Sequence, residues 1–116
     1  MAFKNAVKLG TVQLKDYAAR LLAGRALTAM EMRRKLRAKA ARLEDVDELM
    51  ETLRGYGVVD DERLATSFAG NRAESGLMGK GKVFAQLKGK GVSTAVAQAA
   101  VGAAYEGRDE TAMVEQ

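Results

Sequence analysis

An all-α fold of tandem three-helix repeats, stacked as an elongated right- or left-handed array, is predicted by three observations on this 116-residue chain. The chain is rich in alanine, lacks proline and has only six aromatic residues, three Tyr and three Phe, a balance that favours helices over strands. Apolar residues recur at three- and four-residue spacing. Charge alternates in blocks: residues 1–42 carry 11 basic and 2 acidic side chains, 43–62 carry 1 and 8, 63–92 carry 6 and 1, and 93–116 carry 1 and 4.

The double alternation points to an internal repeat of about fifty residues. Asp16, Tyr17 and Ala18 align with Ser67, Phe68 and Ala69, and Leu36 and Lys39 with Leu87 and Lys90, all at a shift of 51. Val46 is paired with Val96 and Tyr56 with Tyr105, at shifts of 50 and 49, which implies small length changes between helices.

The first repeat is expected over 14–57, after an N-terminal segment 1–13. Leu14 to Ala23 reads as a helix with Leu14, Tyr17, Ala18, Leu21 and Leu22 on one face, ended by Gly24. Thr28 and Glu31 have capping-box spacing, in which the hydroxyl accepts from a free backbone amide and the carboxylate reaches back. A second helix runs from there to about Lys39, with Ala29, Met32, Leu36 and Ala40 inward and Arg33, Arg34, Lys35 and Arg37 on the opposite arc. In the third helix Val46, Leu49, Met50 and Leu53 form the inner face. Glu44, Asp45, Asp47 and Glu48 crowd its first turns, where carboxylates meet the positive end of the helix dipole.

Gly55 and Gly57 close that repeat, and a second one is expected over 58–107. Asp60 or Asp61 can cap a helix with Leu64, Ala65, Phe68 and Ala69 inward. The middle helix, about Lys80 to Lys90 around Val83, Phe84 and Leu87, contains Gly81 and Gly89, each costing about 1 kcal/mol against Ala if interior. Ser93 caps a last helix through Val96, Ala100, Val101 and Ala104, ending near Tyr105 and Gly107. Residues 108–116 read as a tail or as the start of a truncated third repeat, with Asp109, Glu110 and Met113 matching Asp60, Asp61 and Leu64.

Three stretches resemble the RecX family: Leu21 to Lys39, Tyr56 to Arg72, and Gly76 to Val92. The most specific is Tyr56-Gly57-Val58-Val59-Asp60-Asp61-Glu62-Arg63-Leu64-Ala65 followed by Ser67 and Phe68, which is similar to the family's junction between its first and second repeats. Gly79, Lys80, Gly81, Leu87, Lys90, Gly91 and Val92 are similar to its glycine-and-basic segment. The resemblance implies tandem three-helix repeats that bind RecA filaments on single-stranded DNA and restrain ATP hydrolysis, strand exchange and co-protease activity, hence a place in recombination, DNA repair and the SOS response. This sequence departs from the family in two places: a third repeat is largely missing, and Gly79 to Lys82 carries fewer basic side chains than usual.

With no His and no Cys, imidazole general-base catalysis, a Ser/His/Asp triad, thiol chemistry and thiolate zinc sites are all excluded. Gly79-Lys80-Gly81-Lys82 lacks the glycine spacing and the Lys-Ser/Thr pair of a phosphate loop. The carboxylates of 44–51 and 60–62 read as helix starts and caps rather than a divalent-ion site. The chain is therefore expected to be non-enzymatic and cofactor-free; separately, a monomer is expected. No apolar stretch has the roughly 20 residues a spanning helix needs, Lys4 and Lys8 precede no signal-like apolar block, and the cytoplasm is the default location.

The basic residues carry the functional expectation. From charge alone, Arg33, Arg34, Arg37, Lys39 and Arg42 read equally well as a solvated face. The resemblance makes them, with Arg72, Lys80, Lys82, Lys88 and Lys90 of the second repeat, candidates for contact with the RecA filament or DNA phosphate. Tyr17, Phe68 and Tyr105 sit at helical spacing that assigns them to the core ahead of base stacking. The rival reading is a direct DNA-binding module in which Thr28 to Tyr56 acts as a helix-turn-helix with one helix in the major groove.

Overall fold

The computed structural model describes residues 8–107. They form six α-helices and no extended strand: α1 Thr11–Gly24, α2 Ala29–Lys39, α3 Leu43–Gly55, α4 Asp61–Ser75, α5 Lys80–Gly89 and α6 Thr94–Ala104. The chain divides after Val59 into two compact units of three helices, each with its own core. The expectations for 108–116 lie outside the described residues.

In the first unit α1 starts three residues earlier than the apolar pattern indicates, at Thr11. Gly10 has no side chain to offer as a cap, so Gln13 Oε1 accepts from the Gly10 N–H at 3.0 Å. The extended residue Leu9 grips the end of α2: its N–H donates to the Lys39 carbonyl at 2.8 Å, and its own carbonyl accepts from Ala41 N–H at 2.9 Å. The Thr28 capping box forms as expected, with Glu31 N–H donating to Thr28 Oγ1 at 3.1 Å and Thr28 N–H donating to Glu31 Oε1 at 3.0 Å. Leu14, Ala18, Met32, Leu36, Val46, Leu49 and Met50 fill the core, joined by Leu27 and Val59 from the connecting segments.

The second unit repeats this plan with smaller side chains. α4 lays Ala65, Ala69 and Ala73 against α6, which answers with Ala97, Ala100 and Val101, while Val83 and Leu87 close the core from α5. Alanine faces let two helix backbones approach closely, so burial is complete with little apolar surface per residue. Asp60 caps α4, accepting from Arg63 N–H at 3.0 Å, and Ser93 caps α6, accepting from Val96 N–H at 3.2 Å. α4 ends on Gly76 at φ +70°, a left-handed conformation that glycine reaches without the steric cost of a Cβ. Gly81 and Gly89 are the second and last residues of α5, not interior ones, so the propensity penalty is largely avoided. Tyr105 is buried and its hydroxyl donates to the Met78 carbonyl at 2.7 Å, tying the α4–α5 connection to the end of α6.

The repeat register is corrected by the two cores. Leu14, Ala18, Met32, Leu36, Val46, Leu49 and Met50 correspond, all at a shift of 51, to Ala65, Ala69, Val83, Leu87, Ala97, Ala100 and Val101, and every one of the fourteen is buried. Val46 therefore matches Ala97, not Val96. Tyr56, 79% exposed, is no counterpart of Tyr105, which is 6% exposed. Matching identical letters misleads here because a buried position can be filled by Val in one unit and Ala in the other.

Candidate interaction surface

The basic residues of α2 project from a helix whose buried row is Met32, Leu36 and Ala40. Arg34, Lys35, Arg37 and Lys39 are exposed, and at 100° per residue they fall on two flanks. Met30, half exposed, shares one flank with Arg34 and Arg37 at positions i, i+4 and i+7. Lys35 and Lys39 share the other, where Lys39 Nζ lies 5.9 Å from the centre of the half-buried Tyr17 ring. Lys8 Nζ donates to the Ala38 carbonyl at 3.2 Å and adds a further cation at the end of α2.

Arg33 behaves differently from its neighbours. Its guanidinium donates to Asp47 Oδ1 of α3 at 2.7 Å, which ties the second helix to the third. Arg42 lies 3.8 Å from Glu44, with both side chains well exposed, a loose pair that leaves the cation accessible. Arg34, Lys35 and Arg37 have no carboxylate partner among the described residues. The exposed face of α3 is acidic, with Glu44, Asp47, Glu48 and Glu51. One expected helix-start carboxylate, Asp45, is instead buried and accepts from Thr11 Oγ1 at 3.1 Å, joining α3 to α1.

In the second unit Lys80, Lys82 and Lys88 are exposed, while Arg72 and Lys90 are partly buried around Phe68. The Arg72 guanidinium carbon lies 4.3 Å and Lys90 Nζ 5.3 Å from the Phe68 ring centre. Cations are attracted to an aromatic ring face by its quadrupole, so one ring gathers two like charges. The basic surfaces of the two units correspond at only two positions, Arg37 with Lys88 and Lys39 with Lys90. Arg33 and Arg34 are matched by Phe84 and Ala85, and Arg72 by Leu21. Tyr17 and Phe68 pack against their cores and also carry these cations, and Tyr105 is buried in the core of the second unit.

A groove of about 400 Å³ in the second unit is lined by Glu62, Thr66, Ala95, Val96, Ala99, Ala100 and Ala103. Among the described residues no group of three or more carboxylates is placed to hold a metal ion, and no helix is long and apolar enough to cross a membrane.

Residues 60–101 match the family model for the second three-helix domain of RecX, a span that covers α4, α5 and the first eight of the eleven residues of α6. Two curated relatives, each called regulatory protein RecX, come from two strains of Treponema pallidum, one of them the Nichols strain. Each is 30% identical to this chain over 93 residues, which is 80% of this chain and 57% of the relative. The chain thus spans a little over half the length of these relatives.

Proposed function

The chain belongs to the RecX family, a family of regulatory proteins, and from that premise we propose that it binds RecA filaments assembled on single-stranded DNA and restrains their ATP hydrolysis, strand exchange and co-protease activity. The observation that carries the reading is the set of cations without a carboxylate partner among the described residues, on the middle helices and beside them: Arg34, Lys35 and Arg37 on α2, Lys82 and Lys88 on α5, and Arg72 on α4. Arg forks pair well with carboxylates and phosphates, both of which a nucleoprotein filament displays. Arg42, Lys39, Lys80 and Lys90 extend the same surfaces.

The groove-inserting alternative is weakened by electrostatics. In a helix-turn-helix the second helix enters the major groove, and here that helix, α3, exposes Glu44, Asp47, Glu48 and Glu51. Four carboxylates brought between two phosphate backbones would oppose the counterion-release term that drives such binding.

The direct test adds the protein to the cognate recombinase and follows DNA-dependent ATP hydrolysis. The expected result is slowing at substoichiometric to stoichiometric amounts. Unchanged hydrolysis at stoichiometric excess would overturn the proposal. Binding to naked duplex DNA, equal in strength with and without recombinase and falling steeply with salt, would favour the alternative.

A further inference from the structure

The two units share one arrangement that charge counting does not reveal. On the first helix of each stands a half-buried aromatic ring, Tyr17 or Phe68, and at the end of the second helix a lysine, Lys39 or Lys90, lies over that ring at 5.9 and 5.3 Å. The shift between both pairs is 51, the register of the two cores. The second unit adds Arg72, one helical turn beyond Phe68 at i+4, at 4.3 Å from the same ring. Since the two cations lie 4.3 and 5.3 Å from one ring centre, they are held within about 10 Å of each other. Phe68 packs against the core, so its ring is not a free stacking platform. Its quadrupole instead offsets the repulsion of two neighbouring cations and fixes their position.

We propose that Arg72 and Lys90, positioned by Phe68, form a seat for the phosphodiester groups of single-stranded nucleic acid, and that Lys39 over Tyr17 is a weaker, single-cation version of it. This rests on the reading that the basic surfaces are the binding surfaces. A linear polyanion suits the site better than one isolated carboxylate, because Lys82, Gln86 and the C-cap Lys90 follow one another at i, i+4 and i+8 along α5 and its end. Gln86 is only the spacer in that row, because its side-chain oxygen is buried and, like a phosphate oxygen, accepts hydrogen bonds without donating. Arg72 and Lys82 have no carboxylate partner among the described residues that would have to be displaced. Phe68 is thus a positioning residue and the two cations are the binding groups.

The test uses the full chain and a fluorescently labelled oligothymidylate, with no recombinase present, and reads anisotropy as salt is varied. Arg72→Gln and Lys90→Gln should each weaken binding several-fold and flatten the dependence of log affinity on log salt by about 0.7, the single-strand value for one phosphate contact. Phe68→Leu keeps apolar volume but removes the ring, and should weaken binding in the same direction with the far-UV circular dichroism unchanged. Lys15→Gln, which removes a charge from α1 elsewhere on the surface, should lower affinity less than any of the three. Wild-type affinity in both Arg72→Gln and Lys90→Gln would overturn the seat. Wild-type affinity in Phe68→Leu alone would overturn the positioning role. Variants that bind oligonucleotide normally but no longer slow recombinase ATP hydrolysis would show that the seat takes protein carboxylates instead. Because the binding assay contains no recombinase, failure of the seat and failure of the regulatory reading are separately visible.

Discussion

Thr28 is fully buried, and its hydroxyl satisfies the Glu31 N–H at the start of α2. Thr28→Val keeps the shape of the side chain and removes the hydroxyl that caps the helix. Loss of an N-cap acceptor costs about 1 kcal/mol, in a range of roughly 0.5–2, and a donor left without a partner away from water costs about 1–3 kcal/mol. The two figures describe one lost bond from two sides, so the expected destabilisation is about 2 kcal/mol. With a urea m-value of about 2 kcal/mol/M, the transition that reports the first unit should move down by about 1 M. Far-UV circular dichroism measures the shift, and faster hydrogen exchange of the α2 amides places the loss in that unit. Thr28→Ser, which retains the cap and deletes one buried methyl, should cost less, about 1 kcal/mol. A change below about 0.3 kcal/mol in Thr28→Val, or a larger loss in Thr28→Ser, would refute the assignment of stability to the cap. The register gives a complementary gain: Gly79 occupies the same position before α5, is extended at φ −76° and makes no side-chain cap. Gly79→Ser should stabilise the second unit by about 0.5–1 kcal/mol, from a new cap and a less flexible unfolded chain.

The α2 arginines should separate by role. Arg33→Ala breaks the partly exposed pair with Asp47 and should cost up to about 1 kcal/mol of stability, whereas Arg34→Ala with Arg37→Ala should stay within about 0.5 kcal/mol of wild type in stability yet weaken association with recombinase filaments in a pull-down or anisotropy assay; equal stability losses would contradict the division. Tyr105→Phe removes the hydrogen bond to the Met78 carbonyl while keeping the ring, and thermal unfolding should report a loss of about 1 kcal/mol. An unchanged melting curve would show that water replaces the hydroxyl at no cost.

The first unit is more legible than the second for a packing reason. Its core is made mainly of Leu, Met and Val, whose three-and-four spacing stands out against charged neighbours. In the second unit the inner faces of α4 and α6 are mostly alanine, and alanine also occupies exposed positions such as Ala95, Ala99 and Ala103. Periodicity alone then fails to separate inside from outside, which is why matching by letter sets Val46 against Val96 in place of Ala97. The caps Thr28, Asp60 and Ser93 are readable because each is a local bond over three residues. The candidate surface is readable as charge and much less as geometry. Nothing in the spacing of Arg33 and Asp47, fourteen residues apart, separates Arg33 from Arg34, and no local signal buries Asp45 against Thr11.

The helices and their caps are legible along the chain because propensity, capping and periodicity act within a few residues, and the fifty-residue repeat and charge alternation because they recur in linear order. Packing set the exact register of the two cores, tied Arg33 to a neighbouring helix, and brought Arg72 and Lys90 onto one ring. Those facts depend on which faces of separate helices pack together, and packing brings together residues that the chain keeps far apart.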